Sequence, residues 1–395
     1  MKYNIITISD IHWGVIDPKE QLKSLEFIVK FFEYSVLQGI SIDMIVIAGD
    51  YFDSKLPLNS RDAIYAIQWF HKLYELALEY NVKRIRMFQG TMEHDNDQLD
   101  VFKSLVHKDS DFFKIFTHTT SEETLPELHC IYCPDETIQT SEYEFTYINE
   151  ILSIHDIGFF HGSFDVVYGE LLDAKPELMT KKNVIYRYEL WDKVIHGPLI
   201  SGHWHDGKRY DNLYYCGSPF RYKFNEDEPK GFMFTQYDTE TKEYLCKKII
   251  NPLVSEYITY EIYSNMCTSQ EDYTSHLSNI DKILQKFEET SHLNNKLRIK
   301  FYVVDEKTEN ETFITGLRHK FINRRDVKIE LKNKMKEKIK KEVAKRNKER
   351  NETYEFIYKE EKEPSEIIQE FIRTNNPGTD VPLEYIRSKV HKYLK

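Results

Sequence analysis

The sequence has few cysteines and no long apolar run. Five Cys in 395 residues are too few for a disulfide framework, and the close pair Cys130 and Cys133 has no second cysteine pair to complete a zinc site. The apolar runs are far shorter than the roughly 18 residues of a membrane span, and the first residues, MKYNIITISDIHWG, do not read as a secretion signal. We expect a protein without membrane contact in a reducing, cytoplasmic compartment.

The composition is globular, with 41% hydrophobic and 30% charged residues in 395. A chain of this length exceeds one hydrophobic core, so we expect a catalytic domain followed by smaller modules. Charge is uneven along the chain. Residues 317–350 contain 15 Lys and Arg against 5 Asp and Glu, a net charge of +10 in a chain whose net charge is -11.

Short apolar runs alternate with helical patterns in the first hundred residues. Strands are predicted at 3–8, 43–48 and 83–88, and helices at 19–38 and 60–80. This order predicts a two-sheet α/β sandwich with parallel pairing. Further runs are closely spaced and predict a second, more antiparallel sheet, with strands at 157–161, 193–200, 213–216, 231–237 and 243–250.

The remaining sequence divides into two smaller parts. Residues 256–330 alternate strand, helix, strand, helix and strand, which predicts a small α+β module, and a basic helix with one apolar stripe follows it. Residues 363–395 read as two short amphipathic helices. We therefore predict domains at 1–255, 256–358 and 363–395.

Five segments carry side chains suited to metal binding, and three of them directly follow a predicted strand. They are Asp10-Ile11-His12, Gly49 to Asp53 (GDYFD), Gly90 to Asp95 (GTMEHD), His161-Gly162 and Gly202 to His205 (GHWH). Residues i and i+2 of an extended chain point to the same side, so each D-x-H or H-x-H pair presents two ligands together. One such pair is weak evidence, because a His near a strand end is more often an ordinary residue; five in order favour one metal centre.

The ligand chemistry indicates two divalent ions. Mixed carboxylate and imidazole ligands favour Mn, Fe or Zn over Ca or Mg, and two ions about 3.5–4 Å apart can share a carboxylate, activate a water and hold phosphoryl oxygens. Asp50, after Gly49, is the predicted bridge. The sequence predicts a two-metal phosphoesterase with the ligands Asp10, His12, Asp50, His161, His203 and His205.

The series D-x-H, G-D-x-x-D, a Gly-to-His-Asp loop, H-G and G-H-x-H resembles the calcineurin-like metallophosphoesterase family over residues 1 to about 250. Tyr215 to Arg221 (YCGSPFR) and Phe224 to Phe232 (FNEDEPKGF) further resemble the segment after G-H-x-H in SbcD-like DNA repair nucleases. For a member of phage type, the compartment would be the host cytoplasm.

The resemblance implies roles for individual residues. Asp10, His12, Asp50 and His205 would hold one ion, and Asp50, His161 and His203 the other. His94 would be the general acid that protonates the leaving oxygen, although it can also be read as an ordinary loop residue. Mn²⁺ is the expected metal, with Mg²⁺, Fe²⁺ or Zn²⁺ as alternatives.

The sequence departs from the family pattern at two positions. The Asn that usually binds the second ion, in G-N-H-D, is replaced by Glu93 in a longer loop, so Glu93 is the predicted ligand, with Thr91 as the alternative. SbcD-like proteins tend to have His at the end of G-D-x-x-H, where this chain has Asp53. Asp53 is predicted to orient a ligating His or the loop.

The C-terminal parts fit a nuclease by their layout. The module after residue 255 is placed like a capping domain that holds DNA, and the predicted DNA contacts are Arg221, Lys334, Lys338, Lys341 and Lys345. A solvated charged helix explains the basic segment equally well. The final helices are placed like the element that docks on an SbcC-like coiled-coil ATPase, through Ile368, Phe371, Leu383, Ile386, Val390 and Leu394; a hairpin packing on its own protein is the alternative.

The leading hypothesis is a Mn-dependent DNA exonuclease or endonuclease that acts in repair, recombination or replication with an SbcC-like ATPase, as a homodimer within a heterotetramer. One alternative is a phosphatase or small-molecule phosphodiesterase of the same superfamily. The other is a non-catalytic scaffold that keeps the fold. A scaffold predicts eroded ligands, whereas six of the seven expected metal-binding side chains and His94 are present.

Overall fold

The computed structural model describes residues 1–105, 111–135, 154–167, 185–226, 228–267, 269–290, 293–304 and 308–333. The described strands are β1 (Lys2–Ile8), β2 (Met44–Ala48), β3 (Arg84–Phe88), β4 (Phe113–Phe116), β5 (Thr120–Leu125), β6 (Leu128–Cys133), β7 (Ile157–His161), β8 (Ser163–Phe164), β9 (Ile185–Tyr186), β10 (Leu199–Gly202), β11 (Arg209–Tyr210), β12 (Leu213–Tyr215), β13 (Gly231–Asp238), β14 (Tyr244–Ile250), β15 (Tyr257–Tyr263), β16 (Lys296–Val303) and β17 (Val327–Asn333). The described α-helices are α1 (Pro18–Leu37), α2 (Arg61–Glu79), α3 (Tyr188–Trp191), α4 (Gln270–Glu289) and α5 (Thr308–Lys320), and 3-10 helices span Asn96–Leu105 and Ser264–Met266.

The two long N-terminal helices begin at side chains that cap them. The Asp17 carboxylate accepts a hydrogen bond from Lys19 N, and Pro18 opens α1, where its missing N–H costs nothing. Ser60 caps α2 by accepting from Ala63 N. Both helices bury an apolar stripe against the first sheet, as their helical spacing of apolar residues predicts.

The first sheet has the order β14-β13-β1-β2-β3-β4. Its central strands β1, β2, β3 and β4 pair in parallel, as predicted for strands joined by helices. All five residues of β2 are buried, as expected for a parallel strand covered on both faces. Strands β13 and β14 form an antiparallel hairpin that extends this sheet along β1.

The second sheet has the order β11-β12-β10-β7-β6-β5. The prediction of a more antiparallel sheet is wrong for its centre: β6, β7, β10 and β12 pair in parallel, and antiparallel pairs join only β5 to β6 and β11 to β12. Intervening chain returns to the start of each central strand, which permits parallel pairing. The predicted strand at 193–200 is also too long, because β10 begins at Leu199.

Residues between the sheets and on their outer faces form three apolar clusters. Ile5, Val46, Phe88, Tyr132 and Ile200 lie in the cluster between the two sheets. Others fill the space between the first sheet and α1 and α2, and the far side of the second sheet beside α3. The predicted two-sheet α/β sandwich is therefore confirmed.

The chain separates into two compact units. The first contains Met1–Tyr260, Leu277–Ile299 and Asn323–Lys328, and the second contains Glu261–His276, Lys300–Ile322 and Ile329–Lys395. Strands β15, β16 and β17 form a three-stranded sheet in that order. Within the second unit, the Tyr263 and Tyr302 rings stack with centroids 4.6 Å apart. The predicted domain boundaries at 255 and 358 stay predictions.

No helix in the described ranges is both long enough and apolar enough to cross a membrane. None of the five cysteines, all of which lie in the described ranges, forms a disulfide.

Candidate metal centre

The carboxyl ends of parallel strands from both sheets carry the predicted ligands. Asp10 follows β1 by two residues and Asp50 follows β2 by two residues. In the second sheet, His161 is the last residue of β7, and His203 comes directly after β10. The carboxyl edge of an α/β sheet is where ligand sites gather, since each strand end leads into an irregular loop there.

Asp10, His12 and His205 form the first group that could hold a cation, with one ligand atom from each within 4.8 Å of the others. The Nε2 atoms of His12 and His205 lie 3.2 Å apart, a separation that suits two nitrogen ligands about 2.1 Å from one ion. His205 Nδ1 faces Glu226 Oε1 at 3.2 Å, so its Nε2 is the nitrogen turned toward His12. This donor set fits a divalent transition metal.

Asp50, His161 and His203 form the second group. His161 Nε2 lies 3.2 Å from Asp50 Oδ2, while its Nδ1 lies 2.8 Å from the backbone carbonyl of Ala48. A carbonyl only accepts hydrogen bonds, so Nδ1 carries the hydrogen and Nε2 has the lone pair that a cation needs. His161 Nε2 is buried and has no hydrogen-bond partner among the described residues, which fits an ion at this place.

The electrostatics of this group are dominated by one carboxylate. Burial alone would lower the pKa of His161, but the Asp50 carboxylate outweighs burial and raises it to about 10. Burial would likewise raise the pKa of Asp50, and His161 lowers it well below its ordinary value. A cation bound between them competes with the proton for the same position, since a ligating imidazole must be neutral.

His203 has the opposite shift. Its pKa is lowered to about 4, first because burial disfavours the charged ring and second because His161 lies next to it with ring centroids 5.5 Å apart. His203 is therefore neutral at pH 7 and presents a lone pair without first losing a proton. Its backbone N–H donates to both Asp10 oxygens, at 3.0 and 3.1 Å, which connects the two groups.

Comparison with known proteins agrees with this geometry. The sequence profile of the calcineurin-like phosphoesterases matches residues 3–238, more than half of the chain. The chain belongs to the calcineurin-like phosphoesterase family. Members of this family of metal-dependent hydrolases use divalent ions, and the two side-chain groups are where this phosphoesterase could hold them. A search of curated proteins found no match.

The phosphoesterase site brings His94 and Asp53 next to His12. His94, His12 and Asp50 form a third group of potential metal ligands. The His12 and His94 rings meet edge to face with centroids 4.6 Å apart. His94 Nδ1 is in contact with the Asp53 backbone carbonyl, which fixes the ring. Asp53 Oδ1 lies 3.3 Å from His12 Nδ1, where it can orient that ring as predicted for it.

Glu93 lies apart from the phosphoesterase groups. Its side chain is exposed, and it belongs to none of the three groups of potential ligands found in the described residues. The neighbouring Thr91 instead donates its backbone N–H to Asp50 Oδ1 at 2.6 Å and orients that carboxylate. Binding of an ion by Glu93 or Thr91 stays a prediction.

Arg221 is engaged with the protein backbone. Its Nε donates to the Glu226 carbonyl at 2.7 Å and Nη1 to the Ser255 carbonyl at 3.2 Å, so it holds the loop that carries Glu226. The other predicted DNA contacts, Lys334, Lys338, Lys341 and Lys345, lie outside the described residues, as do the predicted partner contacts Ile368, Phe371, Leu383, Ile386, Val390 and Leu394.

Sequence reasoning missed the side chains that hold the ligands in place. Ser9 donates to Asp10 Oδ2 at 2.7 Å, and Glu226 supports His205. Asp95 accepts from Phe52 N at 3.0 Å and Gly90 N at 2.7 Å, so one buried carboxylate holds two ligand loops together. Glu226 lies within the FNEDEPKGF segment, and the resemblance of that segment to the nucleases was the signal that could have identified it. Ser9 and Asp95 adjoin motif residues but belong to no sequence pattern of their own.

Asp135 is a further buried carboxylate near the second group, and no motif includes it. Its residue is 6% exposed, and Oδ1 has no hydrogen-bond partner among the described residues. Burial raises the pKa of Asp135 to about 6, and His161 opposes that rise. The charges that act on it include those of Asp50 and His94, which places it beside the metal centre.

Proposed function

We propose that this phosphoesterase is a Mn-dependent DNA nuclease that hydrolyses phosphodiester bonds. The convergence of two ligand groups and His94 at one sheet edge, in a chain of the calcineurin-like family, carries the proposal. When bound, two divalent ions would polarise a phosphoryl group and lower the pKa of the attacking water.

The chain's own residues would position the substrate and move one proton. His94 would donate a proton to the leaving oxygen, as an imidazole does in general acid catalysis. The contact between His94 Nδ1 and the Asp53 carbonyl supports this role. Because the carbonyl can only accept, Nδ1 donates its hydrogen there, and Nε2 is the nitrogen that would act on the substrate. Asp53 would orient His12 through the 3.3 Å contact between its Oδ1 and Nδ1.

DNA as the substrate is supported by two exposed cations that follow the ligand His205 closely in sequence. Lys208, three residues after His205, places Nζ 5.0 Å from the ring centroid of Trp204. Arg209 lies 4.9 Å from the Tyr214 ring, and both cations are exposed. Cations bind the phosphates of nucleic acids. A phosphatase for small esters would not need this surface.

The substrate is tested with three compounds and Mn²⁺: linear duplex DNA, single-stranded DNA and a chromogenic phosphodiester. We expect cleavage of DNA. Hydrolysis of the small ester with both DNAs intact would overturn the nuclease proposal in favour of a small-molecule phosphodiesterase. Hydrolysis of none of them, with metal bound, would favour the scaffold.

The cation surface is tested with matched charge reversals. In Lys208→Glu/Arg209→Glu, the ratio of DNA cleavage to small-ester hydrolysis should fall at least about tenfold, since phosphate contacts supply much of the affinity for DNA. Lys30→Glu/Lys72→Glu makes the same charge change at exposed positions of α1 and α2 and should leave the ratio unchanged. Equal ratios in both double variants would remove this surface from the account.

We further propose that the chain acts with an SbcC-like ATPase, as a homodimer within a heterotetramer. The likeness of residues 215–232 to nucleases of that type and the order of the C-terminal segments support the idea. Co-expression with an adjacent ATPase gene product, with and without residues 363–395, tests it. Co-purification that is independent of those residues would contradict docking through the terminal helices.

A further inference from the structure

The second ligand group lacks the side chain that the family usually contributes from the loop after β3. The expected Asn is absent from GTMEHD, and Glu93 is not in the group formed by Asp50, His161 and His203. Thr91 uses its backbone N–H to bind Asp50. Another oxygen donor near this group would therefore change how tightly it holds a cation.

Asp135 lies at the corresponding edge of the second sheet. It follows β6 by two residues, and β6 pairs in parallel with β7, with Cys133 opposite Phe160. The carboxyl ends of these strands therefore bring Asp135 beside His161. The Tyr186 hydroxyl donates to the Pro134 carbonyl at 2.9 Å, which fixes the backbone directly before Asp135.

The surroundings of the Asp135 carboxylate favour a nearby cation. Its Oδ1 atom is buried without a hydrogen-bond partner among the described residues, and the negative Asp50 carboxylate is one of its electrostatic neighbours. A buried carboxylate oxygen without a donor is unfavourable, and a buried polar atom without a partner indicates a missing water or ion. A hydrated divalent cation would supply both the charge and the donors.

We propose that Asp135 is a positioning residue for the second ion, whose carboxylate accepts a hydrogen bond from a water ligand of the ion held by Asp50, His161 and His203. A water between Asp135 and the ion fits the position of Asp135 outside the group whose ligand atoms lie within 4.8 Å of one another. Thr91, which is within hydrogen-bonding reach of Asp135, connects it to Asp50. The inference rests on the proposed two-metal function.

Asp135 replaces, from another strand, part of what the absent Asn would contribute. Carboxylates that bind the ligands of a metal typically change its affinity about 10- to 100-fold when they are removed. The effect should be confined to the second ion, because the first group is built on Asp10, His12 and His205.

Calorimetric titration of the metal-free full chain with Mn²⁺ tests the proposal. Wild type should bind two ions, and in Asp135→Asn and Asp135→Leu the Kd of one ion should rise about 10- to 100-fold while the Kd of the other is unchanged. Asp100→Asn is the control, at an exposed carboxylate of the 3-10 helix that follows the GTMEHD loop, and should bind both ions as wild type does. Two ions with unchanged affinities in both Asp135 variants would overturn the inference.

Thermal unfolding separates this role from a merely structural one. Without metal, Asp135→Asn should have a Tm at or above that of wild type, because an unpaired buried charge has been removed. A lower Tm without metal, with both affinities unchanged, would assign Asp135 to the fold. Failure of wild type itself to bind Mn²⁺ would instead contradict the proposed function, so the two failures are distinguishable.

Discussion

Four residues of the metal centre have a left-handed backbone conformation that L-amino acids rarely adopt. The φ angles are 53° at Asp10, 48° at His12, 50° at Asp50 and 80° at His203. Each left-handed non-Gly residue costs on the order of 1–3 kcal/mol, and such strain collects at functional sites. Hydrogen bonds from Asp10 N to the Gly49 carbonyl and from His12 N to the Asp50 carbonyl help to hold this conformation.

Replacement of His94 tests the proposed proton donor. His94→Ala should lower the rate of DNA cleavage about 10²- to 10⁴-fold, the usual contribution of general acid catalysis, while both ions remain bound. Single-turnover cleavage and Mn²⁺ titration measure the two effects. An unchanged cleavage rate would remove His94 from the proton-donor role.

A methyl group at Gly202 should damage the metal centre through its neighbours. A Cβ there would overlap Ser9 Oγ and come within 2.6 Å of the Ala48 carbonyl and 2.7 Å of His161 Nδ1. Gly202→Ala should therefore weaken Mn²⁺ binding by at least about tenfold, because supporting contacts set ligand geometry.

Gly316→Ala is the matched control for Gly202→Ala, since a Cβ at that helical position meets nothing within 4 Å. It should leave Mn²⁺ binding unchanged and stabilise the protein by about 0.4–1 kcal/mol. Equal Mn²⁺ affinity in the two alanine variants would contradict the account of close packing around His161.

Among the helices and strands, those with strong periodicity or a continuous apolar run were predictable. Strand β1 and helices α1 and α2 lie within one or two residues of their predicted bounds, and the α+β module has the predicted order of strand, helix, strand, helix and strand. A buried central strand and an amphipathic helix each follow from local sequence.

The elements and pairings that sequence reasoning missed depend on distant parts of the chain. Strands β4, β5 and β6 were not predicted, and β5 (TSEETL) has too few apolar residues for a strand signal. The β13–β14 hairpin was assigned to the second sheet, although β13 pairs with β1. Local periodicity identifies a strand and not its neighbour in space. The ligands His161 and His203 were still identifiable because their motifs are local.

One buried ion pair on β3 should contribute to the stability of the first unit. The Arg86 side chain is fully buried, with Nε 2.5 Å from Glu122 Oε1 on β5. Arg86→Leu should lower the free energy of unfolding by about 1.5–3 kcal/mol, since it removes a charged hydrogen-bond donor of Glu122 while Lys114 still pairs with that carboxylate at 2.8 Å. Urea denaturation measures this loss, and Arg86→Leu/Glu122→Leu should recover part of it. A loss below about 1 kcal/mol would show that water solvates Glu122 in the variant.

A second carboxylate should make stability depend on pH. Asp156 accepts hydrogen bonds from Tyr237 and Lys242, each at 2.8 Å, and from His129 N at 2.9 Å. Burial would raise its pKa, but these donors outweigh burial and lower it. A lowered folded-state pKa stabilises the fold above the unfolded pKa of about 3.9, and this contribution is lost as pH falls through the folded pKa.

Asp156→Asn tests that dependence. It should cost about 1.5–3 kcal/mol of unfolding free energy at pH 7, and its difference from wild type should shrink as pH falls from about 5 to 3. Glu240→Gln is the control, at a carboxylate that is 79% exposed in the turn between β13 and β14. It should lower the free energy of unfolding by less than about 0.5 kcal/mol at either pH. A difference that stays constant with pH would contradict a lowered pKa.

For the whole molecule, the metal centre lies within the first compact unit, and all of its potential ligands come from that unit. This agrees with the family match, which ends at residue 238. The seventh ligand position, assigned from the sequence to Glu93 with Thr91 as the alternative, stays a prediction. Glu93 follows the motif but is exposed, whereas Asp135 has no motif and reaches the site through the pairing of β6 with β7.

The central claim is that two divalent ions bind at the carboxyl edges of the two sheets. Anomalous X-ray diffraction from crystals of the full chain grown with Mn²⁺ tests it most directly. We predict two peaks about 3.5–4 Å apart, one beside Asp10, His12 and His205 and the other beside His161 and His203, with Asp50 between them. A single peak, or peaks away from these residues, would contradict the two-metal account.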